Sequence, residues 1–302
     1  MHFRKLLTIC FGLSFVTATF LATGCAPLSG NTPVSGPGTL SIVSLGTGDP
    51  DNVTIRAQKA IAAADVVFTM GGRSDRYGEL LKGKEVHDAG HRLFVKASGE
   101  AKRLSSHPVA AGSNEPKRRS SGDDRRMRQS PEQIAAQQEE TRRIIRDAVA
   151  AGRHVAILDN GDPTIFGPHI GYIREFADLN PVIVPGLSSF NAANAALQTS
   201  VVDGSSRTVA LSLGRLDNGR DEILTRMISE GTTLAFFMVR DLDAFISGLN
   251  ARLPGDTPAV IVADAGAGSR QRVIRGTLDT ILAKTAGEKL PAYLLYVGDC
   301  LR

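Results

Sequence analysis

The chain has 302 residues, which is enough for one large α/β unit or two medium domains, and its content of 42% hydrophobic and 22% charged residues is that of an ordinary globular protein. The formal net charge is only +4, and the few aromatic residues include no Trp. A surface for nucleic acid needs clustered basic residues and aromatic platforms, so the composition argues against a nucleic-acid partner.

The first 24 residues have the pattern of an export signal, with Arg4 and Lys5 before an apolar run and small residues before Cys25. This Cys resembles the acylated Cys in the lipobox of bacterial lipoproteins. We therefore expect a lipoprotein of the cell envelope, attached to the membrane through lipidated Cys25 and facing the periplasm or exterior. The alternatives are a retained membrane anchor, which is short for a full span, and an ordinary signal peptide with an incidental Cys.

Residues 25 to 38 are rich in Pro, Gly and small side chains, which predicts a flexible tether. A first α/β domain is expected over residues 39 to 204. Its first elements are a strand at 40 to 45, an Ala-rich helix at 54 to 64 and a strand at 65 to 70, a βαβ unit that implies a parallel sheet. Asp51 and Asn52 are expected to cap this helix.

Residues 97 to 130 form a basic, polar insertion, which we predict to be solvated and disordered. The alternative is a contact with anionic lipid heads or a polycarboxylate ligand. Ser130, with Pro and Gln after it, then predicts a capped helix that ends near residue 151. On its surface Glu139 and Arg143 are expected to pair.

The central feature is a short apolar run, residues 155 to 158, followed by a turn at 160 to 163 with the sequence Asn-Gly-Asp-Pro. A buried parallel strand that ends in a Gly loop opens onto the crevice where α/β proteins hold ligands. A helix at 168 to 177, a strand at 181 to 184, a second Gly loop at 185 to 189 and a helix at 190 to 197 follow. These loops place backbone N–H groups along one rim of the sheet.

The strand and helix pattern restarts near residue 205, which predicts a second α/β domain over 205 to 302. Its predicted strands are 208 to 213, 233 to 239, 259 to 263 and 292 to 297, and its predicted helices are 220 to 229, 240 to 252 and 277 to 285.

The order of these motifs resembles the tetrapyrrole (corrin/porphyrin) methylases, the S-adenosylmethionine-dependent enzymes of the cobalamin and sirohaem pathways. The family's V-G-x-G-P-G-D-P-x-x-L-T is similar to residues 43 to 54, its G-D-P-x-x-F-G to 161 to 167, and its P-G-x-[TS]-[SA] to 185 to 189. A hydrophobic strand that ends in Met, a late Q-R with G-T-L, and a final strand also match, so the resemblance covers nearly all of residues 40 to 299. Ser44 and Thr47 depart from it by replacing a Gly and a Pro.

The resemblance implies a two-domain α/β fold with a parallel N-terminal sheet, a mixed second domain and a ligand cleft between them. It also implies S-adenosyl-L-methionine as the cofactor, a precorrin-like or uroporphyrinogen-like tetrapyrrole as the substrate of C-methylation, and a homodimer. The implied donor-binding residues are Thr47, Asn160, Gly161, Asp162, Ile165, Ser188, Ser189, Met238, Ala265 and Gly266. For two of them a structural role is the alternative, since Ser188 has the position of a helix N-cap and Met238 that of core filler.

The sequence assigns no catalytic residue. A sulfonium methyl group is already activated, so such a site needs chiefly to hold it in line with the accepting carbon. No catalytic triad, carboxylate pair or Cys/His cluster is evident, and no metal site is expected. The His residues lack metal-ligand spacing, and we interpret them as incidental: His87, His91, His107, His154 and His169.

Three hypotheses follow. The first is a membrane-anchored, S-adenosylmethionine-dependent methyltransferase that acts on a tetrapyrrole. The second is an exported lipoprotein that uses the same fold to bind a tetrapyrrole or nucleotide-like ligand without methyl transfer, because an export signal leads away from the compartment where the methyl donor is expected. The third is a cytoplasmic enzyme whose apparent N-terminus comes from an early start.

Overall fold

A computed structural model describes residues 37–70, 77–95, 129–203, 206–216, 220–288 and 290–302. Every described residue belongs to one compact unit, Gly36–Arg302. The predicted signal segment, Cys25 and nearly all of the predicted tether and basic insertion lie outside the described residues. Within the described part, no helix is both long and apolar enough to cross a membrane.

The first sheet has five parallel strands in the order β3-β2-β4-β1-β5, which confirms the predicted parallel sheet. The strands are β1 (Leu40–Ser44), β2 (Val66–Thr69), β3 (Glu85–Asp88), β4 (Val155–Asp159) and β5 (Val182–Val184). The helices between them are α1 (Ile55–Ala63), α2 (Gly78–Leu81), α3 (Pro131–Ala150) and α4 (Gly171–Glu175), and α5 (Ser189–Leu197) follows β5.

The second sheet is mixed, as predicted, with the order β6-β7-β10-β8-β9. The β6 and β7 strands are parallel, whereas β10 is antiparallel to both β7 and β8, and β9 is antiparallel to β8. Its strands are β6 (Thr208–Leu213), β7 (Thr232–Phe237), β8 (Pro258–Ala263), β9 (Arg272–Thr277) and β10 (Tyr293–Val297), and its helices are α6 (Arg220–Ser229), α7 (Leu242–Asn250) and α8 (Ile281–Thr285).

The β4 strand lies in the middle of the first sheet and is buried on both faces, which explains its continuous apolar sequence. Val155 and Ile157 pack in the cluster that contains residues of α3 and α4. Ala156 and Leu158 belong to the cluster on the opposite face, with α1. The next residue on the Val155 and Ile157 face is Asp159, whose side chain is fully buried.

The capping box at the start of α3 is present, since the Ser130 hydroxyl accepts from the Gln133 N–H and the Gln133 side chain accepts from the Ser130 N–H. The predicted pairing of Glu139 with Arg143 is wrong. Glu139 instead lies 3.2 Å from Arg142, because residues three apart also share a face of a helix.

The predicted capping of α1 is also wrong. The N-cap is Thr54, whose hydroxyl accepts from the Ala57 N–H at 3.1 Å. Asp51 and Asn52 belong to a short 3₁₀ helix, Pro50–Asn52, that precedes the cap. This leaves the Asn52 side chain free for contacts elsewhere.

Two edge strands, β3 and β9, lack the apolar pattern used for prediction and were missed. β3 reads Glu-Val-His-Asp and is largely exposed, and β9 carries two Arg residues. The helix predicted at 168 to 177 is shorter than expected, since α4 ends at Glu175 and a 3₁₀ turn, Ala177–Leu179, follows.

Candidate functional site

The loops after β1 and β4 are joined directly at the carboxyl edge of the first sheet. The Gly161 N–H donates to the Gly46 carbonyl at 2.6 Å, and the Leu45 N–H donates to the Asp159 carbonyl at 2.7 Å. Ser44 adds a side-chain link, because its hydroxyl donates to the Gly161 carbonyl and accepts from the Gly46 N–H at 3.0 Å. The Gly-Asp-Pro turn therefore has a defined position above the sheet.

The loop after β5 completes this edge. A Cβ on Gly186 would collide with the Ser44 side chain, so the loop approaches Ser44 as only a glycine can. Ser44, which replaces a Gly of the family pattern, is fully buried between the three loops. The substitution has therefore added a hydrogen-bonded contact inside the loop cluster rather than a group that faces a ligand.

We call the parts of the molecule built on the first and second sheets the first and second lobes. The second lobe faces these loops through the end of β7. The ring of Phe166, from the β4–α4 loop, lies 5.0 Å from the ring of Phe237. Met238 follows Phe237 and is 54% exposed. Both Phe166 and Met238 have positive φ values, 60° and 54°, a backbone conformation that costs free energy for side chains of this size and that clusters at functional sites.

A second contact between the lobes joins the first loop to the loop after β8. The Gly266 carbonyl accepts from the Asp49 N–H and from the Asn52 amide, both at 2.9 Å. The Asn52 amide also donates to the Thr47 carbonyl at 2.8 Å. An exposed ion pair between Arg270 and Asp49, at 3.1 Å, lies beside them.

An apolar cluster fills the space between the lobes under these loops. Tyr296 lies within it, its hydroxyl donates to the Asn194 side chain at 2.8 Å, and burial raises its pKa. The cluster is formed by residues of α5, β7, β8 and β10, with residues of the facing loops packed against it: Ile165, Leu187, Phe190, Ala192, Ala235, Phe237, Val260, Ala265 and Tyr296.

The residues implied by the family resemblance fall into two groups. The first lies on the joined loops of the first lobe: Thr47, Asn160, Gly161, Asp162, Ile165, Ser188 and Ser189. The second lies on the facing loops of the second lobe: Met238, Ala265 and Gly266. The Phe166–Phe237 contact and the Gly266 hydrogen bonds bring these groups to the same side of the molecule, and the contacts of each residue with a donor stay predictions.

Several of these residues have structural partners of their own. The Asp162 carboxylate accepts from the Thr164 N–H at 2.8 Å and from its hydroxyl at 2.6 Å, which holds the turn. The buried Ser188 hydroxyl is the N-cap of α5 and accepts from the Phe190 N–H at 3.2 Å. The Gly266 N–H donates to the Gln271 side chain at 2.9 Å. Their side chains and backbone groups therefore shape the loops.

Gly161 differs from its neighbours because the space beside it is free of protein. Its φ is 71°, and the nearest atom to an added Cβ is the Ser189 nitrogen at 4.0 Å. A Cβ on Gly48 or Gly186, in contrast, would collide with protein atoms. A half-exposed glycine at the meeting point of three loops, with open space in front, is where a ligand can approach the main chain most closely.

Sequence reasoning missed one feature of this region, since it treated His169 as incidental. The side chains of Asp159 and His169 are both fully buried, and Nδ1 of the imidazole lies 3.5 Å from Oδ2 of the carboxylate. The sequence feature that could have indicated this pair is Asp159, which directly follows four apolar residues and therefore places a carboxylate at the end of a buried strand. His91 lies near this pair, and its pKa is lowered by burial and by repulsion from Arg92 and His169.

A separate surface cavity of about 310 Å³ lies between β3 and α3, away from the joined loops. Charged side chains of both signs line it, including Glu85, His87, Arg143 and Arg153. Over the residues that the structure covers, no group of three or more His, Cys, Asp or Glu side chains is arranged to hold a metal ion.

Comparison with known proteins identifies relatives over most of the chain. The chain is 27% identical over 270 residues to a siroheme synthase of Psychrobacter sp. (strain PRwf-1). The aligned region is 87% of this chain and 47% of that protein. The chain therefore spans about half the length of that relative. It is 26% identical over 273 residues to a uroporphyrinogen-III C-methyltransferase of Methanocaldococcus jannaschii, covering 87% of this chain and 96% of that protein.

The fold is also similar to a solved structure, the uroporphyrin-III C-methyl transferase from Thermus thermophilus complexed with S-adenyl homocysteine. The TM-score is 0.57 at 20% identity, over 88% of this chain and 99% of that one. The family model for Tetrapyrrole (Corrin/Porphyrin) Methylases matches residues 39–282. The chain therefore belongs to the tetrapyrrole methylase family.

Proposed function

We propose that this protein is an S-adenosyl-L-methionine-dependent C-methyltransferase that acts on a tetrapyrrole of the precorrin or uroporphyrinogen type. Membership of the family over residues 39–282 supports methyl transfer, and the names of the relatives support the substrate class. The structural observation that carries the proposal is the open space in front of Gly161, where three loops of the first lobe meet and face the second lobe.

The residues around this space fit an adenosyl sulfonium. Gly161 lets the donor approach the main chain, and the half-buried Asn160 amide makes no hydrogen bond to any described residue, so it is available to a polar group of the donor. Ile165 and Met238 supply apolar surface beside it. The donor supplies an activated methyl group, and the loops would hold that group in line with the accepting carbon, which contributes up to about 7 to 11 kcal/mol of the barrier.

Two arginines on the same rim support an anionic substrate. Arg215 and Arg240 follow the carboxyl ends of β6 and β7, which are paired in parallel with Leu213 opposite Phe237. Both are exposed, and neither side chain has a hydrogen-bond or ion-pair partner among the described residues. A tetrapyrrole with carboxylate substituents offers partners for these guanidinium groups, and the exposed side chains of Phe166 and Met238 offer apolar surface for its ring.

The test compares Gly161→Ala with Gly83→Ala. Both glycines have positive φ, 71° and 77°, and neither Cβ would collide with protein, so both substitutions should cost about 1 to 2 kcal/mol of stability. Only Gly161→Ala places a methyl group in the proposed donor space. Calorimetry with S-adenosylhomocysteine should show a loss of affinity of tenfold or more for Gly161→Ala and wild-type affinity for Gly83→Ala. Equal affinities would refute the site.

Methyl transfer itself decides between an enzyme and a binding protein with the same fold. The full-length chain should transfer a labelled methyl group from the donor to uroporphyrinogen III or a precorrin. If the protein binds both the donor and the tetrapyrrole but forms no labelled product after prolonged incubation, the result would favour the binding protein.

We further propose that residues 1 to 24 are an export signal and that Cys25 carries lipid, which would place the protein at the cell envelope. The support is the basic start, the apolar run and the small residues before Cys25. Metabolic labelling with a fatty-acid analogue should mark the wild type and Cys300→Ala but not Cys25→Ala. Label that persists in Cys25→Ala would contradict lipidation. A homodimer is proposed on the family resemblance alone, and light scattering would test it.

A further inference from the structure

The buried pair of Asp159 and His169 brackets the loop that carries most of the predicted donor-binding residues. Asp159 is the last residue of β4, and His169 lies ten residues later, before α4. The His169 N–H donates to Oδ2 of Asp159 at 3.2 Å, and Nδ1 of the ring lies 3.5 Å from the same oxygen. The two ends of the loop are thus held to one carboxylate.

Burying these two polar side chains costs free energy that apolar side chains at the same positions would not cost. Both side chains are fully buried, and Oδ1 of Asp159 and both ring nitrogens of His169 have no hydrogen-bond partner within the described part of the chain. Nδ1 of the imidazole lies 3.5 Å from Oδ2 of the carboxylate, but the geometry does not make a hydrogen bond. Buried polar groups without partners are rare in proteins, and they call for a role other than packing.

The neighbours of the carboxylate indicate that role. A Cβ on Gly167 would lie 2.7 Å from Oδ2, so the end of the Gly-Asp-Pro loop passes directly over the carboxylate. The Asp159 carbonyl accepts from the Leu45 N–H on the other side, where the loop is joined to β1. The Tyr172 ring packs edge-on against the imidazole, 6.0 Å away, and fixes it from α4. The pair therefore connects the central strand, the loop and α4 at one point.

We propose that Asp159 and His169 are positioning residues, whose buried contact holds the loop 160 to 167 in the conformation that binds the methyl donor. This inference rests on the proposed function for its effect on donor affinity, but its effect on the loop does not. An apolar pair could supply the packing, but a carboxylate also accepts from the backbone N–H of His169 while it lies against the ring, and this ties the two ends of the loop together.

The test measures the loop and the donor separately, in the full-length protein. The variants are Asp159→Asn and His169→Gln, and the matched control is His154→Gln, since His154 lies at the opposite end of β4 with its ring bonded to the Thr39 hydroxyl at 2.9 Å. Without ligand, amide hydrogen exchange of residues 160 to 167 should accelerate at least tenfold in both variants and not in the control. Exchange of β8 should not change. Loop exchange within twofold of wild type would overturn the proposal, whether or not the wild type binds the donor.

Affinity for S-adenosylhomocysteine provides the second readout. Each single variant should weaken binding about tenfold. The double variant Asp159→Asn with His169→Gln should also weaken it about tenfold, because both changes remove the same contact, between the carboxylate and the imidazole. If the loss of affinity in the double variant equals the product of the two single losses, about a hundredfold, the residues share no contact and the proposal is overturned. A wild type that does not bind the ligand would refute the proposed function, and loop exchange alone would then decide the role of the pair.

An apolar double variant, Asp159→Val with His169→Phe, covers the case in which the single variants do not fold. Apolar side chains of similar volume leave no buried polar side-chain atom without a partner, so this variant should fold. It should still show accelerated exchange over residues 160 to 167. Wild-type exchange in this variant would show that packing alone holds the loop, and the proposal would be wrong.

Discussion

Asn52 provides a sharp test of how the two lobes are held around the candidate site. Its amide nitrogen donates to the Thr47 carbonyl at 2.8 Å and to the Gly266 carbonyl at 2.9 Å, so one side chain joins loops that are 214 positions apart. A net hydrogen bond contributes about 0.5 to 1.5 kcal/mol, so Asn52→Ala should lower the free energy of unfolding by about 1 to 3 kcal/mol. The lower half of this range is expected, because the Gly266 carbonyl keeps the Asp49 N–H as a donor.

Urea unfolding of Asn52→Ala and Asn250→Ala measures this loss against a matched control. Asn250 is also half-buried, but its amide makes one hydrogen bond, to Asp279 at 2.8 Å, away from the loops. Asn52→Ala should therefore cost more stability than Asn250→Ala, and it alone should weaken S-adenosylhomocysteine binding, by up to about tenfold for 1.4 kcal/mol. Equal stability losses together with equal affinities would refute the reasoning.

The substitution Asn52→Asp sharpens the same test. An ionised carboxylate cannot donate a hydrogen bond, and it would face two carbonyl oxygens, so this variant should be less stable than Asn52→Ala near neutral pH. The difference should shrink as the pH falls toward the ordinary carboxyl pKa of about 4, because the two carbonyl oxygens favour the protonated acid, which can again donate. A deficit that does not change with pH would argue against this contact geometry.

Three further changes have defined outcomes. Burial raises the pKa of the Tyr172 hydroxyl, so the stability that this group contributes is complete below the unfolded pKa near 10 and is lost as the pH rises through the folded pKa. The free energy of unfolding of Tyr172→Phe should therefore fall less steeply above pH 10 than that of the wild type. Ser188→Ala removes the N-cap bond to the Phe190 N–H and should cost about 0.5 to 2 kcal/mol, with donor affinity within twofold of wild type if the hydroxyl only caps the helix. Arg270→Ala breaks an exposed ion pair with Asp49, so thermal unfolding should report a loss of no more than about 1 kcal/mol that disappears at high salt.

Local chemistry explains which elements the sequence could predict. The four apolar residues of β4, the capping box at Ser130 and the Gly-bearing loops were read correctly because each depends on residues that are adjacent or one helical turn apart. The same holds for the parallel first sheet, since alternating strands and helices restrict how a chain can pair its strands.

The two edge strands could not be predicted from such local patterns. β3 and β9 bury one face or less, and their charged side chains leave no apolar period to detect. Only pairing with a neighbouring strand makes them strands. The partner of Asn52 could not be predicted either, because a side chain that suits a helix cap also suits any carbonyl that the fold brings near it.

The candidate site divides along the same line. Consecutive residues are enough to establish that glycine-bearing loops follow buried strands and that the order of these loops matches one enzyme family. The packing of the elements is needed to establish that Ser44 lies between three loops, that Gly161 faces open space and that Asp159 meets His169 in the core. These features depend on which faces of which elements are packed together, and that choice is made by the burial of the whole chain.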